Sequence, residues 1–564
     1  MIDTELFDNA IKTLNENKKR WVELATTNKA RLIEKILQKT PMIVEEMVNK
    51  AAEVKGLQPN TPQIAEEWLA GPMIAVRNLR LLQRSLEEIA HSGLPQLAEN
   101  KIRTRANGQV IADVFPNDIF DKILFQGFRA EIWMQEDISR QNLKKEMATF
   151  YQNPPKDGRV ALVLGAGNVA SIGPLDVIYK LFVEGQVCLL KLNPVNDYLG
   201  PYIEEWFSPL FEENVLQIAY GGGDVGAYLC QHEGIDEIHI TGSERTHDII
   251  VFGTGEEGRK RKEANTPLLN KRITSELGNV SPIIIVPGKW SKKELKFQAE
   301  NVATQMTNNA GFNCNAAKVL ITHASWAQRD AFLDQLRAIL KSLPARKAYY
   351  PGAHDRYKTF INAHSEVDIL GKVDDETLPW TLLPNLNYKQ EDTLAFQEES
   401  FCAVTGETPI VAADASDFLK KAVQFCNETL HGTLNASILI HPKTEKRLKT
   451  QLEDAISELR YGSIGINHWP ALSYGLGVTT WGAYPGHTLN NIQSGIGVVH
   501  NTFMFAKPEK SVIYGPFFIS PHPPWFVTSK TSHEVAPLLT HFEVSPNWPL
   551  LLKIVWKSLG FGVS

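Results

Sequence analysis

The chain has 564 residues, of which 43% are hydrophobic and 22% charged. It is too long for one ordinary domain and too apolar for a disordered or fibrous protein, so two large domains with ample core are expected. A formal net charge of −6, with no Lys/Arg run dominating any region, leaves no electrostatic footprint for nucleic acid.

The N-terminus from Met1 to Trp21 mixes Asp3, Glu5 and Asp8 with scattered apolar residues and lacks the apolar block of a secretion signal. No uninterrupted apolar run reaches the roughly 18 residues of a spanning helix, and a cytoplasmic location is the expectation. Thr40-Pro41 reads as an N-cap with proline at the first helical position, opening a helix whose face is Ile43, Val44, Met47 and Val48; Thr61-Pro62 repeats the signal. At Val160 the pattern changes. The continuous apolar run Val160 to Leu164, closed by Gly165, predicts a strand buried on both faces. A helix from Pro174 to Glu184 and a second such strand, Val187 to Lys191, complete a parallel crossover unit. Runs at 238–240, 283–286, 319–321 and 438–440 alternate with helical stretches, giving an α/β architecture with parallel-rich sheets in two halves that meet near residue 276. The expected organisation is a helical region plus dinucleotide-binding α/β domain over 1–275, a second α/β domain over 276–478, and a return segment with a Pro- and aromatic-rich tail over 479–564.

Five cysteines, odd in number, widely spaced and without a CxxC pair, argue against a disulfide framework or a metal site. Gly165-Ala166-Gly167-Asn168-Val169-Ala170 satisfies G-x-G-x-x-A between strand and helix, as a dinucleotide-binding turn does. That fingerprint wants an acidic residue after the second strand, where this chain has Lys191, Leu192, Asn193 and Pro194. A plain tight turn would explain the glycines equally well.

Asn309 to Lys318, followed by an apolar strand, decides between these readings: it resembles the nucleophile segment of the aldehyde dehydrogenase superfamily, with Gly311, Cys314, Ala316 and Lys318 at matching places and Phe312 where Gln is commoner. Upstream, Ser275 to Pro282 resembles that family's E-L-G-G-K-S-P segment. The resemblance implies two α/β domains, cofactor-binding and catalytic, with a small bridging element used for oligomerisation. It makes Cys314 the nucleophile, Glu276 the general base and Asn168 the oxyanion donor. Lys191, Gly242, Ser243, Glu399 and Phe401 fall on the cofactor-binding segments for NAD or NADP, and no metal is required.

On that resemblance, an aldehyde is oxidised to an acid through a thioester on Cys314, which Glu276-activated water hydrolyses. The alternatives are an acylating enzyme that passes the acyl group to coenzyme A, and a catalytically silent binding relative. Departures from the pattern stand at His247, where a glycine is usual, at Pro194, which leaves NAD against NADP open, and at Cys402-Ala403 in place of Gly-Pro. The basic run Arg259 to Lys262 reads as a solvated face, and the other four cysteines as packing residues. Trp469, Tyr474, Trp481 and Tyr484 are expected near the pocket mouth, which leans toward an apolar or aromatic aldehyde. The stretch from Trp548 to Phe561 reads as an amphipathic helix packing on a partner subunit of a homodimer or homotetramer, with membrane-surface contact or an apolar substrate channel as the other readings.

Overall fold

A computed structural model describes residues 4–371 and 374–560. Its first part is helical. The helix Thr26–Val54 runs straight through Pro41, and Thr40 is no N-cap: its hydroxyl donates to Ile36 O at 3.2 Å one turn back. The expected helix start there is therefore wrong. Proline inside a helix costs about 3 kcal/mol, but Ile33, Ile36, Leu37, Ile43, Val44 and Met47 form one continuous buried face across it. Burial of each such side chain contributes roughly 1.5–3 kcal/mol, so packing wins. The second signal does mark a start: Pro62 opens a turn that leads into the helix Ile74–Ser92. Between them, the wide turn Leu69–Met73 contains Gly71 and Pro72 and breaks the regular helical ladder.

Two sheets follow. The smaller has six strands in the order Gly495–Ile496, Arg272–Leu277, Glu237–Gly242, Val160–Leu164, Val187–Lys191, Leu216–Ala219. The last five are parallel, and the chain leaves Val160–Leu164 first to one side and then to the other. Such a switch point opens a crevice at the strands' C-terminal ends, beyond Leu164 and Gly242. The larger sheet has eleven strands, with Pro282–Ile285, Val319–His323, Val404–Ile410, Asn435–Leu439 and Ser463–Ile466 parallel at its centre. Pro508–Tyr514 joins that sheet, and three antiparallel strands, Ile102–Thr104, Val110–Phe115 and Arg129–Met134, continue it in the same chain.

The passage from one sheet to the other lies between Leu277 and Pro282. The C-terminal residues do not form a unit apart, because Gly495–Ile496 and Pro508–Tyr514 are strands of the two sheets and the helix Ser532–Val544 packs on the N-terminal helices. Among the described residues no helix is long and apolar enough to cross a membrane, and no group of three or more His, Cys, Asp or Glu is placed to hold a metal ion.

Candidate active site

The helix Lys292–Thr307 points its C-terminus at the site. Ser291 and Glu294 form a reciprocal cap at its start, and its far end stops at three successive residues with left-handed backbone: Asn309 at φ 51°, Ala310 at φ 58° and Gly311 at φ 80°. The glycine is obligatory, since a Cβ there would stand 2.8 Å from Cys402 O. For the other two residues this conformation costs on the order of 1–2 kcal/mol each, and a buried polar network offsets it.

Asn309 is the centre of that network. Its backbone N–H donates to Glu66 (2.9 Å) and its amide N–H groups donate to Asn168 O (2.9 Å) and Asn313 Oδ1 (3.1 Å). Its carbonyl oxygen accepts from Lys55 Nζ (3.1 Å) and Tyr349 OH (2.9 Å). Lys55 is paired with Glu67 at 2.8 Å and Arg346 with Glu66 at 2.9 Å, all four largely buried. Lys55 and Tyr349 also donate to Asn168 O, at 3.0 and 3.1 Å. One cluster thus ties together the helical region, the glycine-rich turn and the nucleophile loop.

Past the reversal, Phe312 packs among Tyr349, Tyr350 and Phe401, with ring centroids 5.1, 5.9 and 6.0 Å away, which accounts for an aromatic residue at this position. Lys318 donates to Gly311 O (3.1 Å) and Cys402 O (3.3 Å) and fastens the loop from below. Cys314 then stands with its thiol donating to Glu276 Oε1 at 3.3 Å, Glu276 coming from the end of the strand Arg272–Leu277. Asn168 Nδ2 donates one hydrogen to Phe312 O at 2.9 Å and has a second.

The electrostatics follow from burial. Glu276 is 3% exposed, and its carboxyl is pushed up to about 7 by burial and then by the Asp176 charge, with the Trp481 indole and Cys314 thiol pulling the other way. Burial and the neighbouring carboxylates of Glu276 and Glu399 hold the Cys314 thiol well above its ordinary value. The resting thiol is therefore neutral, with a proton acceptor already hydrogen-bonded to it. Glu276 Oε2 is buried with no partner.

The other expected residues lie around this centre. Lys191 ends its strand, largely buried, with its ammonium held below the usual lysine range by burial and in no hydrogen bond or ion pair among the described residues. Gly242 and Ser243 are exposed where the strand Glu237–Gly242 gives way to a helix, and Ser243 caps that helix through Thr246 N. His247, in place of the usual glycine, is fully buried under the same helix. Glu399 has its carboxyl pushed up to about 7 by burial, and its Oε1 has no partner. Phe401 adopts φ 39° beside Phe312.

Cys314, Glu276 and Asn168 line one cavity of about 1070 Å³, counting its open mouth. Trp469 and Tyr474 line it as expected, but Trp481 is buried behind it and Tyr484 sits under Lys510, 5.1 Å from the ring centre. Two contributors escaped sequence reasoning: the Leu69–Met73 turn, and Pro524 to Val527 of the C-terminal segment.

A parallel sheet with a glycine-rich turn at its switch point, joined to a second sheet with a thiol hydrogen-bonded to a carboxyl between them, defines the class of α/β protein. Residues 101–354 match the model described as the Aldehyde dehydrogenase family, and the fold is that of solved aldehyde dehydrogenases. It is similar to aldehyde dehydrogenase LUC3 of Fusarium sp, 30% identical over 173 residues, which are 30% of this chain and 34% of that one. Similarity extends to an N-succinylglutamate 5-semialdehyde dehydrogenase of Novosphingobium aromaticivorans, 28% identical over 29% of this chain and 32% of the relative. The matched stretches thus span about a third of these relatives' own length. A solved NAD-dependent aldehyde dehydrogenase of Sinorhizobium meliloti superposes with a TM-score of 0.60 at 15% identity, over 92% of this chain and 88% of that one.

Proposed function

We propose that this protein oxidises an aldehyde to a carboxylic acid with NAD or NADP through a thioester on Cys314. The observation that carries the reading is the 3.3 Å hydrogen bond from the Cys314 thiol to Glu276 in a cavity that Asn168 also lines. Glu276 takes the thiol proton, and the thiolate forms a C–S bond to the aldehyde carbon as the carbonyl electrons move onto oxygen. The second N–H of Asn168 and the backbone N–H of Cys314 stabilise that oxyanion, each contributing about 3 kcal/mol. When bound, NAD or NADP supplies the hydride acceptor that the collapsing oxyanion requires. Glu276 releases the thiol proton to solvent and, ionised again, deprotonates the water that cleaves the thioester; the acid leaves and the proton held by Glu276 returns to the Cys314 sulfur.

The residues present suit such a cofactor. Lys191 offers an unpaired, half-desolvated ammonium suited to ribose hydroxyls, and Glu399 offers a buried, unpartnered Oε1 for the second ribose. Ser243 stands at a helix start near which phosphates are favourably placed. Pro194 presents no carboxylate against a 2′-phosphate, so either cofactor is compatible. A cytoplasmic homodimer or homotetramer accompanies this reading by family resemblance, and light scattering on the purified protein tests the assembly.

Rapid mixing with an aldehyde and NAD or NADP is expected to give a burst of reduced cofactor in the wild type and none in Cys314→Ala. Full turnover by Cys314→Ala would refute the covalent route. Acid formation is expected without coenzyme A; strict dependence on coenzyme A would replace hydrolysis by acyl transfer.

A further inference from the structure

The cavity that holds Cys314 says what kind of aldehyde fits, given the oxidation proposed above. Its apolar walls come from four parts of the chain, and Glu276, Asn308, Asn313, Cys314 and Asn315 line it as well. The N-terminal wide turn gives Leu69 and Met73, the segment after the glycine-rich turn gives Val169 and Ile172, the stretch after the strand Ser463–Ile466 gives Trp469 and Leu472, and the C-terminal segment gives Pro524 to Val527. Among the described residues no Lys, Arg or His lines it, and the charged groups that do are both acidic: Glu66 and the base Glu276. Glu66 is already bound to Arg346 and to Asn309 N, so it has no cation to lend. An aldehyde carrying a carboxylate or phosphate would lose its water shell here, find no counter-charge and face an ionised Glu276. A buried charge without a partner is strongly disfavoured.

The C-terminal wall is fixed in place. Gln298 donates to Phe517 O (2.7 Å), His522 pairs with Glu300 (2.9 Å), and Val527 N donates to Thr304 Oγ1 (2.9 Å), all on the helix that leads into the nucleophile loop. Phe526 packs on Phe297 of that helix with centroids 5.0 Å apart, and Trp525 stacks on Phe125 at 6.3 Å. Wall and nucleophile are therefore positioned by one element. The space between these walls, open mouth included, is about 1070 Å³.

We infer that the substrate is an uncharged aldehyde with an extended apolar body, a medium-length or longer alkyl or arylalkyl chain, and that Trp525 and Phe526 determine this specificity. The apolar body gains free energy by leaving water, and the gain is common to every uncharged chain that fits, so length is read while fine chemical detail is not.

The test compares kcat/KM for propanal, hexanal, decanal and succinic semialdehyde with the full-length wild type. Each added methylene that is buried should raise kcat/KM about fourfold, which makes hexanal about 60-fold better than propanal. Succinic semialdehyde should fall roughly 100-fold or more below hexanal, the charge being unmet. In Trp525→Ala and Phe526→Ala the hexanal-to-propanal ratio is expected to drop about tenfold, with Trp525→Phe retaining most of it. A flat dependence on chain length, or succinic semialdehyde turned over as well as hexanal, would overturn the inference while leaving aldehyde oxidation standing. Failure of every aldehyde to reduce NAD or NADP would sink the oxidation reading and this inference with it. The wild-type comparison decides even if the variants fail to fold.

Discussion

At the scale of single residues, the chemistry we propose rests on a thiol and a carboxyl that burial has moved in the same direction. Glu276 titrates at about 7 in the folded chain, so it accepts the Cys314 proton only when ionised. The burst rate is accordingly expected to rise with pH through about 7, and a burst independent of pH between 5.5 and 8.5 would contradict Glu276 as the acceptor. The same shift has a stability consequence. Because the folded value lies above the unfolded one, the stabilising contribution of the protonated group is complete below about 4.5 and is lost as pH rises through about 7. Above that, the buried charge costs about 3 kcal/mol. Glu276→Gln should therefore be more stable than the wild type at pH 8 by about 2–3 kcal/mol in urea unfolding, with the difference shrinking toward pH 5. Equal stability at pH 8 would show that the carboxylate is better solvated than its burial implies. Cys314, Glu276 and Asn168 were legible because each sits in a short local pattern beside a strand or glycine turn. The altered acidities of Cys314 and Glu276 were not, since these arise first from burial and then from carboxylates such as Asp176 and Glu399, all set by parts of the chain distant in sequence.

Among elements, the nucleophile loop shows how distant sequence supports a local conformation. Lys55 contacts Asn168 O and Asn309, residues 113 and 254 positions away, and nothing around it in sequence distinguishes it from a surface lysine. It is a positioning residue: it touches no reacting atom but holds the two groups on either side of them. Lys55→Met alone would strand Glu67 as an unpaired buried charge, at about 3–5 kcal/mol. Lys55→Met/Glu67→Met removes both charges, so most stability should return while the burst rate stays roughly 10- to 100-fold down, because a displacement of about 1 Å in the reacting groups can slow a reaction that much. The thermal melt and the burst rate of the double variant check this together, and recovery of both would make the network merely structural. The parallel strands were readable because burial on both faces writes a continuous apolar run. The break expected at Pro41 was misread because one proline's local cost is smaller than the packing of the long face that crosses it.

Over the whole molecule, the C-terminal segment binds the parts together. The helix Ser532–Val544 carries Glu543, which pairs with Arg77 at 2.7 Å and also with Arg80, while Arg77 pairs with Asp121 at 2.8 Å ahead of the antiparallel strand Arg129–Met134. Burial alone would raise the Glu543 carboxyl, but Arg77 and Arg80 outweigh it and hold it below the usual range. Glu543→Gln is expected to cost about 3–5 kcal/mol in denaturant unfolding at pH 7, since Arg77 keeps only one buried anion. A loss under 1 kcal/mol would mean that Asp121 suffices. Sequence reasoning read Trp548 to Phe561 as an amphipathic helix set against a partner subunit, a membrane surface or an apolar substrate channel; the helix runs from Trp548 to Ser558. In the fold its Leu551 and Ile554 bury with Val535 and Phe542 of the preceding helix, Leu552 is exposed, and Phe561 lies outside the described residues. The tail's part in the cavity wall could not be read from sequence because it comes from packing on a helix more than two hundred residues earlier.

The most direct measurement is the mass of Glu276→Gln after mixing with hexanal and NAD or NADP, followed by peptide mapping. Without Glu276 the thiol must lose its proton to solvent, so thioester formation slows, but hydrolysis has no base and stalls further, and one acyl group is expected to build up on the peptide that contains Cys314. An unmodified Cys314 peptide in a protein that has reduced its cofactor, or acylation at another cysteine, would contradict the account.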